Sequence, residues 1–203
     1  MWPVAYGEAV NDDRTRLLNR GLYLEYATLG WNVVEIGFLV YAAYIARSVA
    51  LAGFAIDSFI EIFASVVVVW QLKGTANEAQ ERRAVRMIGG AFFLLAIYIA
   101  GQAIVTVAAD IRPAESLLGI VWLAVTALVM VALAIAKGRT GRAIGNPVLL
   151  TESKVTFIDG ALACAILLGL LLNALMGWWW ADVAAGFVLV AYGLYEGWQS
   201  FHE

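Results

Sequence analysis

Cysteine and histidine are almost absent from this chain of 203 residues, which has one of each. The single cysteine, Cys164, excludes an intrachain disulfide framework and any cysteine-rich metal site. The single histidine, His202, lies next to the end of the sequence and therefore outside any site in the middle of a membrane. A metal site inside this protein would have to be rich in oxygen ligands.

Charged residues are also scarce. They make up 14% of the chain, against 63% hydrophobic residues, and the mean hydropathy is +0.81. This composition is outside the usual range of soluble domains and indicates a protein of the lipid bilayer. The N-terminal residues are polar and lack the basic-then-apolar order of a signal peptide, so we expect a retained cytoplasmic segment over 1–23.

Six apolar stretches follow, each long enough for a helix to cross a hydrocarbon core of about 30 Å. They lie near 24–45, 50–72, 87–109, 116–136, 149–174 and 179–199. The sequence therefore predicts an all-α membrane protein with six transmembrane helices. The predicted transmembrane domain covers 24–199, a short cytoplasmic tail covers 200–203, and only 73–86 and 137–147 are expected to form longer loops.

Basic residues are distributed unevenly over the predicted connections. With both termini in the cytoplasm, eleven Lys and Arg residues face inward and two face outward, as the positive-inside rule requires. The inward residues are Arg14, Arg16, Arg20, Lys73, Arg82, Arg83, Arg86, Lys137, Arg139, Arg142 and Lys154, and the outward ones are Arg47 and Arg112. We expect a multi-pass protein of a bacterial inner (plasma) membrane with cytoplasmic N and C termini.

Acidic residues inside the apolar stretches are the main candidates for chemistry. Asp57 and Glu61 lie one helical turn apart in the second stretch, and Asp159 lies at matching depth in the fifth, about 18 Å from the cytoplasmic boundary. Glu152 precedes Asp159 by two turns and lies nearer the cytoplasm. Because a charge inside the bilayer is costly, such acids usually face a partner, an aqueous pathway or an ion. We expect one shared cation site; the alternative is protonated carboxyls that only hold helices together.

Other polar residues in the stretches are weaker candidates. Asn32 and Glu35, one turn apart in the first stretch, either line the pathway or make structural hydrogen bonds. Gln102 in the third stretch is expected to hydrogen-bond to another helix, with a pathway role as the alternative. Glu25 and Glu196 lie near cytoplasmic ends, where we expect them to reach water.

Three segments of the chain resemble the second, fifth and sixth helices of cation diffusion facilitator transporters. They are DSFIEIFASVVVVWQL, ESKVTFIDGALACAILLGLLLN and WWWADVAAGFVLVAYGLYEGW. The resemblance spans about 24–200 and implies the six-helix transmembrane bundle of that family. Many relatives also have a cytoplasmic C-terminal domain that binds metal and holds a dimer together. We expect this chain to lack that domain, so a homodimer would rest on its transmembrane helices.

The resemblance also implies a metal site. In the family, a pair of ligands on the second helix and a pair on the fifth form a tetrahedral transition-metal site. Asp57 and Glu61 match the first pair, and Asp159 matches the last ligand. The remaining position, usually His or Asp, falls on Val155, which cannot ligate. Either Glu152 or a water molecule is then left to complete the shell.

These residues lead to a functional hypothesis. We hypothesise that the protein exports a divalent transition metal, zinc first and cadmium as a fellow substrate, in exchange for protons that compete for the same carboxylate oxygens. Without imidazole, the site should tolerate manganese or iron better than the usual family site. The metal is a substrate and no cofactor is expected; the other expected partners are protons, lipid and a second copy of the chain, with no nucleic acid.

Two other functional classes make different demands on the sequence. A membrane-embedded enzyme is disfavoured because the stretches contain no nucleophile and base set at matching depth. A non-transporting, metal-binding membrane subunit, whose buried carboxylates are structural, is the remaining alternative. It predicts that metals neither stabilise the protein nor cross a membrane that contains this protein alone.

Overall fold

The computed structural model of this chain describes residues 3–46, 49–74, 77–110, 117–178 and 181–202. These residues form six α-helices: α1 (Pro3–Ala46), α2 (Val49–Lys73), α3 (Glu78–Ala108), α4 (Leu117–Ile144), α5 (Pro147–Met176) and α6 (Ala181–His202). The predicted all-α, six-helix fold is confirmed. Within the described residues, two helical segments are by themselves long and apolar enough to cross a membrane, Glu78–Ala108 and Val121–Ile144.

Three helices extend well beyond the predicted apolar stretches. Helix α3 begins at Glu78, where Asn77 caps its first turn, which corrects the prediction of a loop over 73–86. Helix α1 begins at Pro3, so the polar segment before the first stretch is itself helical. Helix α4 continues to Ile144, which corrects the prediction of a loop over 137–147. The last turns of α4 stay helical because their polar residues pack against other helices: Lys137 and Thr140 are buried. Their polarity alone predicts a solvent-exposed loop, so the burial could not be read from the sequence.

The turn between α4 and α5 is built from residues suited to helix ends. Gly145 has a φ of +65°, a left-handed conformation that glycine adopts at low cost after a helix. The Asn146 Oδ1 accepts the backbone N–H of Leu149 at 2.8 Å and caps α5, whose first residue is Pro147. The Asn146 amide also donates to Gln71 Oε1 at 2.9 Å. This bond ties the end of α2 to the start of α5 and so sets the relative height of the two helices that carry the predicted ligands.

The apolar core lies mainly between α2, α3 and α5. Its fully buried members include Val68, Ile88, Phe92 and Ile158. Around this core, α1 packs along α2, α4 along α5, and α6 along α3. Large apolar side chains such as Leu128 are exposed on the outside, where hydrocarbon would surround them. The buried acids of α1, α2 and α5 form a separate polar interior.

Candidate metal centre

Asp57 of α2 and Asp159 of α5 lie together inside the bundle. Each is only 2% exposed, and their carboxyl groups lie close enough to interact directly. Two carboxyl groups can share a hydrogen bond only when one of them carries a proton. Such a pair can hold a proton between two helices, on oxygens that also suit a divalent cation.

Glu61 lies one turn further along α2 and is 1% exposed. Its Oε2 accepts a hydrogen bond from Asn32 Nδ2 of α1 at 3.3 Å, and it also contacts the Thr156 hydroxyl of α5. Electrostatic interaction links it to Asp57 and Asp159. The structure thus places the three predicted ligands in one buried region, bounded by α1, α2 and α5.

The amide orientation of Asn32 is set by its surroundings. Its Nδ2 donates to the Thr28 carbonyl oxygen at 3.0 Å as well as to Glu61. Both neighbours are acceptors, so the nitrogen of the amide faces them and the oxygen faces away. That oxygen, Oδ1, is buried and has no hydrogen-bond partner. An unpaired buried acceptor costs about 1–3 kcal/mol, which indicates a site prepared for a donor or a cation.

The predicted ligands have unpaired oxygens as well. Asp57 Oδ2, Glu61 Oε1 and Asp159 Oδ2 are buried without a hydrogen-bond partner. Oxygen atoms of this kind are fit to ligate a divalent cation. Among the residues that the structure describes, however, no group of three or more His, Cys, Asp or Glu side chains lies close enough together to hold one metal ion. Shared coordination by all three acids therefore requires a movement of side chains or helices.

Glu35 occupies a polar pocket between three helices. Its Oε2 accepts a hydrogen bond from Ser58 of α2 at 3.3 Å, and its Oε1 accepts one from Thr126 of α4 at 3.0 Å. Both carboxyl oxygens are therefore engaged. Glu35 also interacts electrostatically with Asp57 and Asp159, so it adds negative charge to the same region.

Gln102 and Val155 make contacts with other groups. The Gln102 amide donates to the Tyr98 hydroxyl at 2.9 Å, one turn back on the same helix, and not across to another helix as predicted. Side chains four residues apart lie on the same helix face, so the Gln102 amide finds its hydrogen-bond partner within α3. Val155 is 1% exposed and packs in the apolar core. It supplies no ligand atom.

Glu152 is paired with a lysine that the sequence had placed in a loop. Lys137 Nζ lies 2.8 and 3.0 Å from the two carboxylate oxygens of Glu152, 3.2 Å from Glu25 Oε2 and 3.1 Å from Thr156 Oγ1. Ser65 of α2 donates to Glu152 Oε1 at 3.1 Å. The side chains of Lys137, Glu25 and Glu152 are fully buried. We call Glu25, Lys137 and Glu152 the ion triad.

Two expectations about water-exposed acids were wrong. Glu25 is fully buried in the ion triad, and Glu196 is 5% exposed and forms a salt bridge with Lys154 at 2.5 Å. Each carboxylate is paired with a lysine of another helix. A signal for Glu25 was present in the sequence, because it precedes Asn32 by seven residues and therefore shares its face of α1.

The chain was compared with models of known protein families. A family model described as the cation efflux transmembrane domain matches residues 26–203. The matched region contains all six predicted apolar stretches apart from the first two residues of the first. It also includes Asp57, Glu61 and Asp159.

Proposed function

The chain belongs to the cation efflux family, and from that premise we propose that it exports a divalent transition metal in exchange for protons. Members of this family are transporters and not enzymes, so the chain is a membrane protein that moves cations. The metals proposed are zinc first and cadmium second. The observation that carries the proposal is the close approach of the buried Asp57 and Asp159 carboxyls, because acids from two helices then meet where either a proton or a cation can bind both.

The exchange follows from the chemistry of this pair. A divalent cation and a proton compete for the same carboxyl oxygens, so binding of the metal releases protons and protonation releases the metal. Glu61 approaches the pair when the cation draws it away from Asn32 and Thr156. Rocking of the helices then exposes the loaded site to the opposite side, where protons expel the metal.

Asn32 is proposed as the fourth ligand, in place of the family position that Val155 occupies. Its Oδ1 is buried and unpaired, and once Glu61 leaves Nδ2 the amide is free to rotate and turn this oxygen toward the cation. A site of three carboxylates and one amide oxygen is harder, in the chemical sense, than a site with histidine. The proposed zinc and cadmium transport is therefore accompanied by substantial manganese and iron transport. Glu152 stays paired with Lys137 in the ion triad and is not a ligand of this site. A water molecule could supply a further ligand oxygen.

The proposed setting is the inner membrane of a bacterium, with both termini in the cytoplasm. Segment 1–23 and tail 200–203 then lie in the cytoplasm and 24–199 form the transmembrane domain. A homodimer through the transmembrane helices is proposed as the working unit. The second candidate function is a non-transporting metal-binding subunit, favoured by the engagement of both Glu35 oxygens and of Glu152 in structural bonds.

Metal flux into vesicles distinguishes the two candidates. The purified protein is reconstituted alone, and uptake of zinc, cadmium, manganese and iron is followed with and without a pH gradient. We expect flux that accelerates with an opposing proton gradient and that falls at least about tenfold in Asp57→Asn and Asp159→Asn. The matched control is Asp13→Asn, which changes an exposed aspartate of α1. Wild-type protein that binds metal but carries none across the bilayer would support the subunit instead.

A further inference from the structure

The ion triad forms a layer of its own on one side of the metal centre. Glu25 precedes Asn32 by seven residues and Glu152 precedes Asp159 by seven, so each lies about 10 Å along its helix from the residue it precedes. Both glutamates are displaced toward the same end of the bundle, the one that contains the turn between α4 and α5. In the proposed orientation that end is cytoplasmic. The layer therefore lies at a height between the cytoplasmic end of the bundle and the Asp57 and Asp159 pair.

The layer contains two acidic groups and one basic group. Glu25 and Glu152 both contact the ammonium of Lys137, and the two acids also interact with each other. One oxygen, Glu25 Oε1, is buried and has no hydrogen-bond partner among the described contacts. One ammonium balances only one carboxylate, so the second needs a proton, whereas a divalent cation would balance both carboxylates and would use the unpaired oxygen. The layer therefore has the charge and the ligand oxygens for a divalent cation. In this structure the monovalent Lys137 ammonium occupies that position.

Thr156 connects this layer to the metal centre. Its hydroxyl accepts a hydrogen bond from Lys137, lies 3.1 Å from Glu152 Oε1 and also contacts Glu61. A hydroxyl has one proton, so it can donate to only one of the two glutamates at a time. When Lys137 is displaced, the Thr156 hydroxyl is free to reorient, and its hydrogen bond to Glu61 forms or breaks. Cation binding at the ion triad is thereby linked to cation binding at the metal centre.

We propose that Glu25 and Glu152 form a transient divalent-cation site on the cytoplasmic side of the metal centre, and that the Lys137 ammonium is the tethered cation that fills it between transport events. This inference rests on the proposed function. The incoming metal displaces the ammonium, whose flexible stem swings toward the cytoplasm. When the metal moves inward the ammonium returns to the carboxylates and blocks its way back. A purely structural role would make the ion triad only a clamp on α1, α4 and α5.

Ion counting on the full-length protein tests the transient site. Bound manganese and, separately, bound zinc are measured per chain by equilibrium dialysis in detergent. We expect folded Lys137→Met protein to hold one more ion per chain than wild type, and the added ion to disappear in Lys137→Met/Glu152→Gln. Lys137→Met/Glu25→Gln removes the other proposed ligand and should likewise hold no added ion. Folded Lys137→Met protein with the wild-type number of ions would overturn the inference.

A second variant decides the question if Lys137→Met does not fold. Lys137→Arg keeps the positive charge and the helix clamp, but a guanidinium binds a carboxylate through two parallel hydrogen bonds and releases it less readily. We expect normal thermal stability and a metal flux in vesicles that falls at least about tenfold. Wild-type flux in this variant would reject the tethered cation and leave the proposed transport intact. Failure of the proposed function would appear differently, as a wild-type protein without flux.

Discussion

At the scale of single residues, the structure gives Asn32 and Lys137 larger roles than the sequence predicts. Both are buried polar residues whose partners lie on other helices: Glu61 for Asn32, and Glu25 and Glu152 for Lys137. Spacing in the sequence places a residue on one face of its own helix, but it does not say which helix that face meets. For the acids of α2 and α5, matching depth and the family resemblance both predicted that the two helices are neighbours. No such argument existed for α1 and α4.

The proposed amide ligand can be tested by substitution. Asn32→Leu should weaken manganese binding to the purified protein by about tenfold, because one of four oxygen ligands is lost. Asn32→Leu/Val155→His should regain affinity for zinc more than for manganese, because imidazole favours zinc. Competition between the two metals at equilibrium measures both effects.

The control for this pair is Gln199→Leu, which removes an amide that is bonded to Tyr195 one turn back on α6. It should leave both affinities unchanged. Asn32→Leu protein with wild-type affinity and metal preference would remove Asn32 from the ligand set.

At the scale of helices, close packing is decided by a few small residues. On α3 a Cβ added to Gly89 would lie 2.8 Å from Ser200 Cβ and 3.1 Å from a ring carbon of Phe201, both on α6. A Cβ added to the next residue, Gly90, would meet nothing within 4 Å. Two adjacent glycines of one helix therefore have different roles, which the sequence alone could not separate. Gly89 allows α3 and α6 to approach, whereas Gly90 is tolerated.

These two glycines form a matched pair for a stability experiment. Gly89→Ala should lower the free energy of unfolding by about 1–3 kcal/mol, because α6 has to move away from α3. Gly90→Ala should leave it unchanged or raise it by up to about 1 kcal/mol, because alanine has the higher helix propensity. Thermal unfolding of both variants in the same detergent measures the difference. Equal midpoints would mean that α6 accommodates the added methyl group without loss of packing.

At the scale of the whole molecule, the ends of the helices are sorted by charge. The basic residues at the end of α4 and the start of α3, among them Arg82, Arg83, Arg139 and Arg142, are exposed. Arg47 and Arg112, the two expected on the opposite side, lie outside the described residues. The charge asymmetry is what predicts cytoplasmic termini.

Cysteine labelling tests this orientation. With Cys164 replaced by serine, a cysteine is introduced at exposed Ala79 near the start of α3 or at exposed Ala109 just after its end. The two positions lie about 45 Å apart along the helix, on opposite sides of a bilayer. In intact cells a membrane-impermeant maleimide should label only Ala109→Cys, and Ala79→Cys should react after the membrane is opened. The Cys164→Ser background should stay unlabelled. The reverse pattern would place both termini outside.

Several features of this protein are determined by local sequence. Runs of apolar residues determine how many helices form and roughly where they lie, because a helix satisfies its own backbone hydrogen bonds in lipid. The positions of Asp57, Glu61 and Asp159 determine the depth of the acids, because a helix rises by about 1.5 Å per residue. The family resemblance followed from the same segments, and the match over 26–203 agrees with it.

Other features were decided only by the tertiary structure. The contact of Asn32 with Glu61, the burial of Lys137 between Glu25 and Glu152, and the continuation of α4 to Ile144 all depend on which helices are neighbours. A buried charge is tolerated only where an opposite charge from another helix meets it, and such a partner is remote in sequence. Lys137 and Glu25 are 112 residues apart. Hydropathy assigned both to water because it weighs each residue alone, whereas packing gave each a partner.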